Sequence, residues 1–262
     1  MSHPDPVSPM RRVDVTALLD TLLQPARFSD VAENGLQVEG TDTIERVVCG
    51  VSANLALIDA AIDVGAHAIV VHHGLVWGGG IRRLDGWLKT RVQRLLQAGI
   101  NLYAYHLPLD AHPDVGNNVG LARALGVTDV VPFGRYKGQP IGCAGAFLPS
   151  LTLPQLVDRA RHDVVGHANG ISAFGNPNRP LRSVGLCSGG APDLLHEAIG
   201  LGLDVYVTGE VTEYVKAVAE ESGTAFVALG HHATERFGPR ALAATLRTSG
   251  LDARFIDIDN PA

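Results

Sequence analysis

Residues 61–74 have the sequence AIDVGAHAIVVHHG, which joins the end of a helical pattern, a strand-like run and two imidazoles. Gly65 stops the helical pattern, and residues 68–71 form an apolar run of strand length. His72 and His73 follow at once. Because ligand sites of open α/β sheets lie at the ends of strands, this stretch predicts a buried strand that ends in a site.

Two other apolar runs end in residues of the same kind. Residues 100–105 lead to His106 and Asp110, and residues 225–229 lead to His231 and Glu235. Several imidazoles together with carboxylates suit one or two divalent metal ions. The three strand ends therefore predict a metal site.

Strand-like and helical patterns alternate along the chain at the lengths typical of βαβ units. The predicted strands include residues 46–51, 68–71, 100–105, 183–187, 205–208, 225–229 and a last strand at 253–258, and the predicted helices include residues 13–23, 52–64, 88–98, 191–201, 214–221 and 238–249. The second half repeats the plan of the first, which indicates an internal duplication. We expect an α/β fold of two related lobes with mainly parallel sheets and a metal site in the cleft between them.

One segment interrupts this alternation and sets the predicted domain boundaries. Residues 1–130 form the first predicted α/β lobe, residues 131–182 a connecting αβ element and residues 183–262 the second lobe. The connecting element contains a strand candidate at residues 142–148 and a helix that opens at Thr152.

Composition limits the class of protein. The 262 residues are 46% hydrophobic and 18% charged, which argues against disorder. A net charge of −6 gives no general electrostatic case for binding nucleic acid or an anionic membrane. A local group of cations is either an anion-guiding patch or a solvated helix face. Its members are Arg82, Arg83, Lys89, Arg91 and Arg94.

Sequence features also indicate the compartment. Three cysteines without a CxxC pair fit a reducing environment rather than a disulfide framework. The first ten residues lack the apolar core of a signal peptide, and no apolar stretch approaches the ~18 residues that a membrane span needs. We therefore expect a cytoplasmic protein with a small-molecule substrate, and neither a membrane nor nucleic acid as a partner.

The spacing of the candidate ligands suggests how each could bind metal. The histidine pair at the end of the first strand can bind one ion together or two ions separately. An imidazole and a carboxylate four residues apart, as at positions 231 and 235, share one face of a helix. At the remaining strand end, Asp110 is preferred to His106 because a charged oxygen can bridge two cations. The predicted metal ligands are His72, His73, Asp110, His231 and Glu235. This mixture of N and O ligands suits Zn, Mn, Fe, Co or Ni without choosing among them.

Other residues are candidates for supporting roles. His106 orients a ligand or substrate, or is a structural histidine. Glu210, which follows the strand at 205–208, is either a base over the cleft or a surface carboxylate. Pro108 is expected to exclude a helix between His106 and Asp110 and to leave an extended turn. The Ser188-Gly189-Gly190 turn either holds an anion or is a plain tight βα connection.

Five segments, taken together, resemble the Nif-three-like family, whose bacterial members are often labelled GTP cyclohydrolase I type 2 homologs. The segments occur in family order over nearly the whole chain. They are Glu33–Val38, Val71–Gly74, His106 with Leu109-Asp110, Asp204–Glu210, and Gly230-His231 with Thr234-Glu235.

The resemblance implies a two-lobed α/β fold with a dinuclear metal centre between the lobes and a ring-shaped homo-oligomer, typically a hexamer. It implies two divalent ions per chain on the same five ligands, with Glu235 bridging both ions. The leading hypothesis is a metal-dependent hydrolase of a nucleotide-like or phosphorylated small molecule, with proton transfer assisted by His106 or Glu210. GTP ring opening is the specific reaction that the label suggests. The alternative is a metal-binding chaperone or partner-binding ring protein that turns nothing over.

Overall fold

The computed structural model describes residues 8–166 and 170–262, and it divides into two compact units. Unit 1 consists of the described part of Met1–Leu109 together with Gly238–Ile258, and unit 2 consists of Asp110–Phe237 together with Asp259–Ala262. This division differs from the predicted boundaries at 130/131 and 182/183. The expected connecting element belongs to unit 2 because its long hairpin pairs with the second sheet, and the last strand pairs with the first sheet.

The elements are numbered here in chain order. The strands are β1 (Met10–Arg11), β2 (Gly35–Val38), β3 (Thr43–Ile44), β4 (Arg46–Ser52), β5 (Ala68–His73), β6 (Asn101–Ala104), β7 (Val127–Tyr136), β8 (Gln139–Leu151), β9 (Ser172–Phe174), β10 (Leu181–Leu186), β11 (Val205–Thr208), β12 (Ala225–Ala228) and β13 (Asp252–Phe255). The helices are α1 (Arg12–Leu23), α2 (Leu55–Asp63), α3 (Gly86–Ala98), α4 (Leu107–Ala111), α5 (Asn117–Ala124), α6 (Leu153–Ala160), α7 (Leu195–Gly200), α8 (Val215–Ser222), α9 (His231–Thr234) and α10 (Phe237–Thr248).

Unit 1 is built on a five-stranded sheet with the strand order β13-β4-β5-β6-β2. The first four strands are parallel, and β2 runs antiparallel to β6. Strands β5 and β6 are almost entirely buried, as expected for parallel strands with apolar residues on both faces. Ile69 and Val71 pack with Leu57 of α2 and Leu95 of α3. Full burial of each such side chain contributes roughly 1.5–3 kcal/mol to folding.

Unit 2 is built on a six-stranded sheet with the strand order β7-β8-β10-β11-β12-β9. Strands β10, β11 and β12 are parallel, while the β7–β8 hairpin and β9 extend the sheet with antiparallel pairs. Its core contains Leu186, Val207 and Val227 from the parallel strands, with Leu121 of α5 and Leu156 of α6.

Both units share one topological plan, which confirms the predicted α/β class. In unit 1 the sequence β4-α2-β5-α3-β6 gives three adjacent parallel strands, and in unit 2 the sequence β10-α7-β11-α8-β12 does the same. Among residues 8–166 and 170–262, no helix is long and apolar enough to cross a lipid bilayer.

Two helices of these units begin with side-chain caps that the sequence supplies. Asn54 accepts a hydrogen bond from the backbone N–H of Leu57, which satisfies a donor at the start of α2. Thr152 and Gln155 form a reciprocal capping box at the start of α6.

The expectation of an extended turn after His106 was wrong. Residues Leu107–Ala111 form the short helix α4 despite Pro108. Proline is tolerated in a first helical turn because its missing N–H would have no intrahelical partner there. His106 therefore immediately precedes a helical turn that contains Asp110.

Candidate metal centre

Three histidines of unit 1 form a compact group, called here the histidine cluster (His72, His73 and His106). The ring centroids of His72 and His73 are 4.5 Å apart, and that of His106 lies 5.0 Å and 5.7 Å from them. One ring nitrogen from each histidine lies within 4.8 Å of the others, which is close enough for the three to hold a metal ion. His72 is fully buried.

The chain can turn after the histidine pair because position 74 is glycine. A Cβ atom built on Gly74 would lie 2.3 Å from Oε1 of Gln37. That same oxygen accepts hydrogen bonds from the backbone N–H groups of Leu75 and Val76 at 2.7 Å and 3.1 Å. A side chain at position 74 would therefore displace the amide that fixes the chain beyond the cluster.

Hydrogen bonds on Nδ1 orient the rings of the cluster. Nδ1 of His72 lies 3.1 Å from the carbonyl oxygen of Tyr105. Because a carbonyl only accepts, this Nδ1 carries the proton and Nε2 presents its lone pair, as a metal ligand requires. Nδ1 of His73 lies 3.1 Å from Oγ of Ser52. Partners of this kind on the second ring nitrogen are typical of metal-binding histidines.

A buried carboxylate holds the third histidine. Nδ1 of His106 donates to Oδ1 of Asp30 at 2.8 Å, and the Asp30 side chain is 2% exposed. Burial alone would raise the pKa of Asp30, but the hydrogen bond and charge of His106, with donors from Asn34 and Ala32, hold it well below its ordinary value. Asp30 also accepts from the backbone N–H of Leu107 at 2.9 Å. Asp30 was not among the site residues predicted from the sequence.

The segment around Asn34 explains one of the motifs that carried the resemblance. Oδ1 of Asn34 accepts a hydrogen bond from the backbone N–H of His106 at 2.7 Å, and its amide nitrogen donates to Asp30 at 3.0 Å. Trp77 lies edge-on to the His106 ring at a centroid distance of 5.2 Å. These contacts fix both the backbone and the ring of His106.

In unit 2, Asp110 is a buried carboxylate with one oxygen held by two donors. Nδ2 of Asn117 and Oγ of Ser188 donate to its Oδ1 at 2.9 Å and 3.0 Å. Asp110 is 7% exposed. Ser188 thus supports a candidate ligand, a role that its place in a βα turn did not reveal.

Asn118 connects the surroundings of Asp110. Its amide nitrogen donates to the carbonyls of Ile141 at 2.7 Å and Asp110 at 3.3 Å, and its Oδ1 accepts from the N–H of Ser188 at 2.7 Å. The residue is 2% exposed. One buried amide therefore joins α4, the hairpin and the turn after β10.

His231 lies between two carboxylates of unit 2. Nε2 of His231 is 3.0 Å from Oε1 of Glu235, and Nδ1 is 2.6 Å from Oε1 of Glu210. Burial alone would lower the pKa of His231, but the hydrogen bonds and charges of Glu235 and Glu210 raise it to about 9. The two carboxylates therefore favour a positive charge on the His231 ring. Glu235 is 2% exposed, whereas the side chain of Glu210 is half exposed.

Gly189 makes room for this pair. The residue has φ +66°, and a Cβ atom there would lie 2.2 Å from Oε1 of Glu235 and 3.1 Å from Nε2 of His231. The spacing of four residues does bring His231 and Glu235 together, as predicted. The turn after β10 is thus shaped around the two side chains.

The predicted site residues therefore fall into two sets. In unit 1 the structure brings together His72, His73 and His106. In unit 2 it holds Asp110 with Asn117 and Ser188, and it brings together Glu210, His231 and Glu235. The structure thus contains buried histidine and carboxylate groups that could bind a metal ion.

A family model described as Duf34/NIF3 (NGG1p interacting factor 3) matches residues 10–261. The chain belongs to this family. The match confirms the resemblance that the five sequence segments indicated.

Relatives and solved structures of the Duf34/NIF3 family match the chain over nearly its full length. A protein of Neisseria meningitidis serogroup B named GTP cyclohydrolase 1 type 2 homolog is 43% identical, over 92% of this chain and 94% of its own. The protein of that name from Escherichia coli K12 is 40% identical, over 97% of this chain and 100% of its own.

Solved structures give the same result. Protein ybgI, described as of unknown function, has a TM-score of 0.90 at 39% identity and covers 97% of this chain and 100% of its own. A protein of Thermus thermophilus has a TM-score of 0.85 at 34% identity and covers 97% of this chain and 99% of its own. Both comparisons support the mixed α/β fold described above.

Proposed function

We propose that the protein binds two divalent metal ions and is a hydrolase of a nucleotide-like or phosphorylated small molecule. The proposed ligands are His72, His73, Asp110, His231 and Glu235. The observation that carries the proposal is that hydrogen bonds already orient side chains of this set as metal ligands. Nδ1 of His72 donates to the carbonyl of Tyr105, so Nε2 carries the lone pair that a metal ligand needs, and two donors on one oxygen of Asp110 orient its carboxylate.

The donor set fits divalent cations. It combines imidazole nitrogens with two carboxylates that are 7% and 2% exposed. Buried carboxylates require compensating positive charge, and a divalent ion supplies it. The raised pKa of His231 has the same cause, because this ring lies between two carboxylates. Mixed N and O ligands suit Zn, Mn, Fe, Co or Ni.

Bound ions of this kind lower the pKa of coordinated water and polarise phosphoryl or carbonyl oxygens. The protein residues have separate tasks. His106, with Nδ1 fixed on Asp30, presents Nε2 for proton transfer to the substrate. Glu210 lies on the other side of His231 with its carboxylate half exposed, so it can exchange a proton with solvent.

The substrate class follows from the names of the relatives, which are printed as GTP cyclohydrolase 1 type 2 homologs. We therefore take GTP as the first substrate to test, with ring opening as the first reaction to assay. A shared site does not fix the substrate, so other nucleotides belong in the same screen.

A homo-oligomer, specifically a hexamer, is part of the proposal. It rests on the resemblance stated from the sequence, which implies a ring-shaped homo-oligomer. Light scattering on the native protein measures the number of chains, and a monomer at micromolar concentration would contradict this part.

The test of the proposed function begins with metal content per chain in protein purified without chelators. We expect about two ions in the native protein and fewer in His231→Ala and Glu235→Ala. Matched controls are His196→Ala and Glu221→Ala, which change exposed residues of the same types. GTP turnover should disappear in Glu235→Ala while its circular dichroism spectrum is retained.

Two results would contradict the proposal. Unchanged GTP turnover in Glu235→Ala would contradict the proposal that the reaction depends on the bound metal. Two tightly held ions without turnover of any nucleotide would favour a metal-binding chaperone or partner-binding protein instead.

A further inference from the structure

A cavity of about 480 Å³ lies within unit 2, beside the candidate ligand Asp110. It is formed by α4, α5 and the β7–β8 hairpin. This volume lies within the range of small-molecule sites, which is roughly 300–1,000 Å³.

The walls of the cavity are largely apolar. Val119 lines it from α5, Val131 from β7 and Ile141 from β8. Apolar walls of this kind suit a flat ring, which can exclude water on both faces. Asn118 of α5 ties this helix to the β8 wall, because its amide donates a hydrogen bond to the carbonyl of Ile141 at 2.7 Å.

Besides the buried Asp110 carboxylate, two exposed charged side chains line the cavity. They are Arg123 and Asp129. The guanidinium of Arg123 donates one hydrogen bond, from Nη1 to the carbonyl of Asp114 at 2.7 Å. Since a guanidinium has five N–H donors in a fixed fork, this bond positions it with capacity left for an oxyanion.

Asp129 supplies the opposite chemistry. It has φ +53°, and the pairing of β7 with β8 shifts register between Thr128 and Val131, so this residue sits in a bulge. Bulges re-aim side chains near sites. A carboxylate accepts hydrogen bonds from ring N–H and amino groups, which are the hydrogen-bond donors of a nucleobase.

From these contacts we infer that the cavity is a binding site for a nucleoside 5′-phosphate, with Arg123 on the phosphate, the apolar walls around the base and Asp129 on its donor edge. The inference rests on the proposed function, because it places the nucleotide-like substrate next to Asp110. It adds where the nucleotide binds within unit 2 and names Arg123 as the specificity-determining residue.

The test is calorimetric titration of GMP into the full-length protein after treatment with a chelator, so that metal does not contribute to binding. Arg123→Gln keeps a donor for the Asp114 carbonyl and removes the charge. We expect it to raise the Kd for GMP about 10- to 100-fold, the effect of losing a charge-assisted contact. Arg161→Gln is the matched control, since its side chain is 60% exposed and does not line the cavity.

A second variant addresses the cavity itself. Val119→Phe fills the space from α5 and should abolish GMP binding, with the unchanged melting temperature as a control for folding. Equal GMP affinity in the native protein and both cavity variants would overturn the inference, as would no GMP binding to the native protein.

The outcomes separate this inference from the proposed function. Loss of GMP affinity in Arg123→Gln without GTP turnover in the metal-loaded protein would sustain the cavity and contradict the hydrolase. GTP turnover that is indifferent to Arg123→Gln would sustain the hydrolase and overturn the cavity.

Discussion

Replacing Asp30 by asparagine removes one charge from a buried carboxylate and keeps its shape. Oδ1 of Asp30 accepts from His106 and from the N–H groups of Val31 and Ala32, and Oδ2 accepts from Asn34 and Leu107. An amide has only one acceptor oxygen, so its NH2 group must face donors in either orientation.

The cost can be worked out bond by bond. In the better orientation the NH2 group replaces Oδ2 and faces two donors, Asn34 and the N–H of Leu107. Asn34 cannot flip without losing its bond to the N–H of His106. The amide nitrogen of Asn34 keeps the Ala32 carbonyl as an acceptor at 3.3 Å, so the N–H of Leu107 is the donor that loses its partner. One unsatisfied buried N–H costs about 1–3 kcal/mol, and loss of charge in the His106 bond costs about 1 kcal/mol more. We therefore expect Asp30→Asn to lower the free energy of unfolding by about 2–4 kcal/mol.

Urea denaturation at pH 7 measures this change. Both tryptophans of the chain, Trp77 and Trp87, belong to unit 1, so their fluorescence reports on the unit that contains Asp30. Asp42→Asn is the control, because its side chain is 70% exposed. A loss below about 0.5 kcal/mol in Asp30→Asn would refute the reasoning, since that is the scale of an ordinary surface substitution.

The pH dependence has a definite sign. The pKa of Asp30 is lowered in the folded protein, so its stabilisation is complete above the unfolded pKa of about 4 and is lost as pH falls below it. The asparagine variant has no such titration. The gap between the two proteins should narrow as the pH falls below about 4, and a constant gap down to pH 2 would contradict the assignment.

Three further predictions follow from the contacts. Asn118→Ala removes three hydrogen bonds made by a side chain in a residue that is 2% exposed, and should lower the free energy of unfolding by about 2–4 kcal/mol. Denaturation followed by circular dichroism measures this change, and no change would contradict the buried network. Asp252→Asn should cost at most about 1 kcal/mol at pH 7, and its difference from the native protein should vanish as pH falls below about 4, because the hydrogen bond from Arg46 lowers the pKa of Asp252. Chelation should lower the melting temperature reversibly, since a ligand stabilises the fold that binds it, and the shift should be smaller in His231→Ala, which is expected to hold fewer ions; an equal shift in both proteins would contradict the ligand assignment.

The sequence predicted most of the sheet framework because strand and helix periods are local signals. The apolar runs at 68–71 and 205–208 are strands β5 and β11. Unit boundaries were harder to predict from the sequence, because β13 pairs with β4 although the two strands lie some 200 positions apart in the chain. No local pattern encodes such a pairing.

The candidate site divides in the same way. His231 and Glu235 meet because they are four residues apart, and spacing alone reveals this. Asp30 contacts His106, which lies 76 positions later in the chain, and Asp30 belongs to a segment without hydrophobic periodicity. Only the folded structure therefore reveals this contact. The Pro108 expectation failed because a general rule about helix interiors was applied to a first turn.

The discontinuity of unit 1 has a consequence for how the chain is made. During synthesis, residues 110–237 emerge completely before β13, so the main segment of unit 2 can form while β4 still lacks its outer neighbour. The hydrogen bond between Arg46 and Asp252 closes a loop of 206 positions, which makes it among the slowest contacts to form. Until β13 has been synthesised, β4 is an open sheet edge, and an open edge can pair with another chain.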